Sequence, residues 1–209
     1  MKLISADNGQ LIDDINKLLE PVLCIARHPK EDFVLYGGAL GTARIYKISE
    51  NQQRTAANND VNMMKTFERQ PGPIRAVAYS PDASLVALGG LYDEIRVYKS
   101  ADAARVAAFT GTGGPTFNLL FHPDGKQLFF GWRVTGVSNV WRIDGPQRFP
   151  VQLTGGEDPT TLAGVSPDGS FLLVQRDRGG EEYPGLYLLS PKGGALEKVQ
   201  HEPRVQTFA

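Results

Sequence analysis

Ala163-Gly164-Val165-Ser166-Pro167-Asp168-Gly169 runs straight into Ser170-Phe171-Leu172-Leu173-Val174. An apolar run, a Ser-Pro-Asp-Gly turn and a second apolar run read as two strands joined tightly. Proline has no N–H and cannot continue a central ladder, and Asp and Gly supply the turn. The pattern recurs upstream in Cys24-Ile25-Ala26-Arg27-His28-Pro29, in Ala76-Val77-Ala78-Tyr79-Ser80-Pro81-Asp82 and in Leu119-Leu120-Phe121-His122-Pro123-Asp124-Gly125. The prolines stand at 29, 81, 123 and 167, spaced 52, 42 and 44 residues apart. Four matches in register make a repeat, and repeats of this length build solenoids, propellers or arrays.

Each unit continues in the same way. The first apolar run is predicted to be a strand buried on both faces. A second strand follows at Phe33-Val34-Leu35-Tyr36, Leu85-Val86-Ala87-Leu88, Gln127-Leu128-Phe129-Phe130 and Phe171-Leu172-Leu173-Val174. A third, alternating in polarity and so less buried, comes about ten residues later. It spans Ala43 to Lys47, Ile95 to Lys99, Asn139 to Arg142 and Gly185 to Leu189. A weaker fourth strand closes each unit at Met64 to Phe67, Val106 to Phe109, Pro150 to Leu153 and Leu196 to Val199.

The first two units align without gaps. Tyr36-Gly37-Gly38 matches Leu88-Gly89-Gly90, and Arg44-Ile45-Tyr46-Lys47 matches Arg96-Val97-Tyr98-Lys99, each at an offset of 52. The glycine pairs suit a crowded strand end where a side chain would block close approach. Ser49 to Asn62, polar and rich in Asn and Gln, reads as an outer loop insertion. Near the start, Ser5-Ala6-Asp7 repeats Ser100-Ala101-Asp102, so residues 1–16 read as the third and fourth strands of a partial blade. Residues 204–209 read as the first strand of another.

Four strands every 40 to 50 residues is the pattern of a β-propeller blade. In these residues the chain resembles the WD40-like propeller superfamily over nearly its whole length. The expected fold is all-β: a single propeller domain over 1–209, with full blades near 22–69, 74–111, 116–154 and 160–200. An open or half propeller fits this count. So do a compact ring of four or five blades, a piece of a longer propeller, and a homodimer that completes the ring. Tyr46-Lys47, Tyr98-Lys99 and Trp141-Arg142 stand where a typical WD40 blade has Trp-Asp, and no Gly-His pair precedes a first strand. The hydrogen-bonded tetrad of regular WD40 blades is therefore not expected. The fourth unit is more similar to the propellers of TolB-type proteins and of the prolyl oligopeptidase family, whereas residues 22 to 110 are closer to the WD40 style.

Composition excludes several classes of function. The 22 Lys and Arg balance 23 Asp and Glu, and a pI near 6.3 gives no footprint for nucleic acid or an anionic membrane. One cysteine supports neither a disulfide framework nor a thiolate metal cluster. No apolar run approaches the roughly 18 residues of a membrane span, and the first residues turn polar too soon for a secretory leader, which together suggest a cytoplasmic protein. The 23 Gly and 14 Pro of 209 residues are turn chemistry.

Neither catalytic nor cofactor chemistry is legible in the residues. Gly164-Val165-Ser166-Pro167-Asp168 lacks the final glycine of a nucleophile elbow, and Ser166 already has a turn role. His28 and His122 occupy the turn position that Ser80 and Ser166 fill elsewhere, so a turn-side hydrogen bond is their expected role. Cys24 lies on a first strand and reads as a small core residue. Gly111-Thr112-Gly113-Gly114-Pro115 lacks the Lys-Ser/Thr ending of a phosphate loop and reads as an inter-blade connection. No metal site and no cofactor are expected.

What remains is binding. Arg44, Lys47, Arg96, Lys99, Arg133 and Arg142 recur as basic positions assigned to third strands. Arg176-Asp177-Arg178-Gly179-Gly180-Glu181-Glu182-Tyr183 is the most charged loop, with Glu157 and Asp158 in another loop nearby in sequence. Arg133, Arg176, Arg178, Glu181, Glu182 and Tyr183 are the candidate binding residues. In the peptidase propellers that the fourth unit resembles, acidic loop residues can face a substrate cavity, which brings Glu181 and Glu182 forward. The plain alternative is a solvated hairpin balanced by its own arginines. The resemblance implies a non-catalytic scaffold holding a protein or peptide on its loop faces and central channel, and the balanced charge leaves no expected role for nucleic acid or membrane. The other reading is the substrate-gating propeller of a prolyl oligopeptidase-like serine peptidase whose catalytic domain lies outside this chain.

Overall fold

A computed structural model describes residues 2–14, 18, 20–48, 62–145, 148–205 and 207. Four four-stranded antiparallel sheets follow one another along the chain, each with its strands in simple order. Blade one comprises β3 (Val22–Arg27), β4 (Phe33–Gly38), β5 (Ala43–Lys47) and β6 (Met63–Thr66). Blade two comprises β7 (Ile74–Tyr79), β8 (Leu85–Gly90), β9 (Glu94–Lys99) and β10 (Arg105–Thr110). Blade three comprises β11 (Leu119–Phe121), β12 (Leu128–Trp132), β13 (Asn139–Ile143) and β14 (Val151–Gln152). Blade four comprises β15 (Thr160–Val165), β16 (Leu172–Arg176), β17 (Gly185–Leu189) and β18 (Glu197–Gln200). A separate two-stranded antiparallel sheet pairs β1 (Lys2–Ile4) with β2 (Leu11–Asp14). The described residues contain no helix, hence none long and apolar enough to cross a membrane.

Every predicted Pro turn ends a first strand. In each, the residue before proline carries the turn: Ser80 Oγ accepts the Leu85 amide at 2.9 Å and Ser166 Oγ the Phe171 amide at 3.1 Å. His28 Nδ1 accepts the amide of Glu31 at 3.0 Å, and His122 Nδ1 that of Asp124 at 3.2 Å. The histidines are turn residues, as their position in the repeat suggests.

Second strands form the deepest layer. Leu35, Val86, Ala87, Leu88, Phe129, Leu172 and Val174 are fully enclosed. Burying such side chains supplies most of the stability of a sheet stack, at about 1.5–3 kcal/mol each. Blades pack in chain order, β3 and β4 on β7, β11 on β7 and β8, and β11, β12 and β13 on β15. Three apolar clusters fill these seams. One holds Leu35, Ile74, Val86 and Leu88, a second Ala87, Ile95, Leu119 and Phe130, and a third Phe129, Leu162 and Leu172.

Three expectations need correction. First strands are not uniformly buried on both faces. β7, with a blade on each side, is buried apart from Arg75, whereas Ile25 and Arg27 on β3, and Thr161 and Ala163 on β15, face solvent. Two-sided burial needs two neighbours. Arg133 is not on a third strand; it lies in the hairpin between β12 and β13. The residues described in the final stretch form no strand: Arg204 has φ +61 in a turn, and the Val205 amide bonds back to the Glu202 carbonyl. The insertion at 49–61, with residues 1, 15 and 16 of the first partial blade and 206, 208 and 209 of the last, lies outside the described residues.

Glycine pairs mark close approach between blades. A Cβ at Gly37 would lie 2.5 Å from Ile74 Cγ2, and one at Gly89 would lie 3.0 Å from Thr116 Cβ. The first glycine of each pair therefore faces residues at the start of the next blade, whereas Gly38 meets the Glu20 side chain and Gly90 the Pro73 carbonyl of their own blades.

Candidate functional site

The hairpins joining second to third strands and the connections joining one blade to the next alternate along one face. They touch each other in sequence order. The Gln70 amide donates to the Gly41 carbonyl at 2.8 Å, and Arg69 Nε to the Leu40 carbonyl at 3.0 Å, so the connection after β6 rests on the first hairpin. The Leu91 amide donates to Pro73 O at 2.8 Å, tying that connection to the second hairpin. Thr112 Oγ1 donates to Asp93 Oδ1 at 3.0 Å, and a Cβ on Gly113 would lie 3.1 Å from Val134 Cα. The connection after β10 thus bridges hairpins two and three. Thr160 N donates to Ser138 O at 2.7 Å, and Gly179 N to Asp158 Oδ1 at 2.8 Å, which extends the arc to hairpin four.

Beneath this arc lies a polar brace. Tyr98 OH donates to Glu68 Oε1 at 2.8 Å while Gln70 Nε2 donates to Tyr98 OH at 2.9 Å. Burial pushes the Tyr98 phenol up to about 12, Gln70 opposing and Glu68 reinforcing the shift, so it stays a neutral donor. Arg96 pairs with Glu94 and, at 3.4 Å, with Glu68, which also holds Arg105 at 3.1 Å. In blade three, Thr154 Oγ1 accepts the Val140 amide at 2.9 Å and donates to Asn139 Oδ1 at 3.0 Å. These bonds hold connections to third strands where the Trp-Asp pair is missing.

The candidate binding residues all fall on this face. Arg176, at the end of β16, is half-buried and committed: its guanidinium donates to Thr160 Oγ1 at 2.8 Å and to the Gly155 carbonyl at 3.0 Å, with Asp158 at 3.8 Å. Arg178 and Glu181 form an exposed ion pair at 3.4 Å, worth at most about 1 kcal/mol. Glu182 has φ +60 at the tip, and Tyr183 is 37% exposed. Hairpin four brings Arg176, Arg178, Glu181, Glu182 and Tyr183 together, while exposed Arg133 stands on hairpin three.

Sequence reasoning missed the apolar members of the face. Leu40 is 56% exposed, Leu91 43% and Val134 49%, one on each of the first three hairpins, with Tyr183 as the counterpart on the fourth. Phe117, on the connection into β11, is 56% exposed. The available signal was position: Leu91 follows its glycine pair directly, and Leu40 stands one residue further behind the other. Apolar residues exposed on successive hairpins of one face mark an interaction surface more than scattered ones do.

Ser166 Oγ donates to Asp168 Oδ1 at 2.7 Å within its turn, the role its place in the repeat gives it. Among the described residues no three His, Cys, Asp or Glu side chains gather as metal ligands would.

No family model matches the chain. It is 30% identical over 146 residues to Telomerase Cajal body protein 1 of Mus musculus, covering 66% of this chain and 26% of that protein. The Homo sapiens protein of the same name is 27% identical over 145 residues, with 66% and 25% covered. The chain thus spans about a quarter of the length of these curated relatives. The solved β-propeller domain of Myceliophteria thermophila Cps50 (Swd1) superposes with a TM-score of 0.67 at 14% identity, covering 88% of this chain and 58% of that one. That likeness shows the fold. Nothing in these likenesses supports the peptidase or TolB-type alternative.

Proposed function

Taking as premise that this chain is a WD40-like β-propeller in fold, we propose that residues 1–209 act as one non-catalytic scaffold that binds a protein or peptide across the arc of hairpins. The observation that carries the reading is the exposed apolar residue on every hairpin, Leu40, Leu91, Val134 and Tyr183. Rigid blades hold these tips at fixed spacing, so a partner meets a preorganised surface and little ordering entropy opposes binding. Arg133, Arg178, Glu181 and Glu182 supply a charged rim that orients the partner rather than anchoring it. Arg176 supports hairpin four from beneath.

The test replaces all four tips with serine and compares partners crosslinked to wild-type and variant chains in extracts, with I25S on a different surface as control. Loss of the same bands only in the tip variant supports the reading. Identical bands from both would overturn it.

A second reading, two copies completing one ring, is favoured by the outward face of blade one, where Ile25 is 61% exposed. Light scattering decides it, since a 22.8 kDa monomer at all concentrations removes this reading.

A further inference from the structure

β10 is the longest of the outer strands, six residues against four, two and four in β6, β14 and β18. As the edge of its sheet it offers a row of backbone N–H and C=O groups with no neighbouring strand. Its last half faces blade three across a seam, and a cavity of about 380 Å³ opens there between Phe109, Phe130, Trp132, Arg148 and Phe149.

The wall contributed by blade three is aromatic and rigid. Trp132 and Trp141 meet edge to face with centroids 4.6 Å apart, and Phe130 lies 6.0 Å from Trp132. Phe149 is 92% exposed, more than any other large apolar side chain whose burial is described. Beside it the Arg148 guanidinium is exposed and has no carboxylate partner among the described residues. The lining holds one cation and no anion.

We propose that this seam is a docking groove for an extended acidic-aromatic peptide segment of a partner protein. The segment pairs with the free edge of β10, lays an aromatic side chain against Trp132 and Phe149, and sets a carboxylate against Arg148. Each feature selects one property of the occupant: the edge an extended main chain, the aromatic wall a large apolar side chain, the unpaired arginine an acid. The groove contains none of the four hairpin tips, so it does not rest on the function proposed for that face.

Random peptides of about 12 residues, enough to cover β10 with flanks, are displayed on phage and selected on the full chain. The expected winners carry an aromatic residue close to Asp or Glu. As synthetic peptides free of tryptophan they shift the emission of Trp132 and Trp141, the chain's 2 tryptophans. R148E weakens them up to ~5-fold, as loss of an exposed pair implies, changing the peptide's acid to its amide does the same, and F149S weakens them by removing the exposed ring. N-methylation of alternate backbone amides in the peptide abolishes binding. The four-serine tip variant binds them normally. Circular dichroism melts confirm that R148E and F149S stay folded, and the peptide-side changes need no protein variant. Winners that lack acids, or that bind R148E as tightly as wild type, overturn the proposal. So does saturation of the seam by a second copy of the chain.

Discussion

His122 Nε2 lies 3.0 Å from the carbonyl oxygen of Gly169, so a ring on the turn of blade three is bonded to the turn of blade four. On the same edge of the stack, Lys30 Nζ donates to the Asp82 carbonyl at 3.1 Å, and the His28 ring packs edge to face on Tyr79 at 5.0 Å. Turns that look purely local in the repeat therefore also stitch neighbouring blades. The variant H122S separates the two roles, because serine serves the turn at positions 80 and 166 but is too short to reach Gly169. Its thermal midpoint should fall by a few degrees, reflecting the loss of about 1 kcal/mol. An unchanged midpoint would show that the inter-blade bond contributes nothing.

G37A tests blade spacing. The added methyl would meet Ile74 Cγ2 at 2.5 Å and Cys24 Sγ at 2.8 Å, so blades one and two must part slightly, at a cost of about 1–3 kcal/mol. Adding I74A removes Cγ2, the nearest opposing atom, and lets the remaining Cβ retreat. Denaturant unfolding of the two single variants and the double should then show a favourable coupling above about 0.5 kcal/mol. Strict additivity would contradict the packing described.

Cys24 should be nearly inert. Burial pushes its thiol up to about 11, against a smaller opposing pull from the Gly37 backbone, and Sγ donates to the Ile74 carbonyl at 3.5 Å. At pH 8 the folded chain holds roughly a hundredfold less thiolate than an unfolded one. A chromogenic disulfide should therefore label Cys24 slowly in the native chain and fast in denaturant. Equal rates would mean that the thiol is solvated.

Asp82 and Asp168 define an acid limb. Hydrogen bonds from Ser80 and Ser84 hold the first carboxyl down at about 2, and those from Ser166 and Ser170 do the same for the second. A folded value below the unfolded one means the stabilisation is present above about pH 4 and is lost as pH falls towards 2. The double variant D82N/D168N should lose stability at neutral pH and show a flatter decline between pH 4 and 2. A decline as steep as that of wild type would assign the limb to other carboxylates.

Much of the fold was legible because proline and glycine act locally. Pro81 and Pro167 cannot donate to a ladder, so the strand ends they mark needed no knowledge of neighbours. Outer strands were less legible: β14 keeps only Val151 and Gln152 of the run predicted from Pro150 to Leu153. Such strands have one partner and little burial, so their limits depend on a single ladder. The burial of first strands failed for a different reason. Val22–Arg27 and Ile74–Tyr79 have similar polarity, and only their place in the stack decides which is covered twice. At the candidate site, charge was visible in the hairpin from Arg176 to Tyr183, but exposure of Leu40 and Leu91 was not. An apolar residue reads as core until the turn that carries it outward is known.

Packing in chain order has a thermodynamic consequence. When each blade touches only its sequence neighbours, opening an end blade forfeits one seam, whereas opening blade two or three forfeits two. Local stability then forms a gradient along the chain. Amide exchange should be fastest in the β1–β2 sheet, which has two strands among the described residues, and slowest in β8 and β12, central strands of inner blades. The molecule behaves as a short linear chain of coupled units that frays inward, rather than as a single all-or-none core.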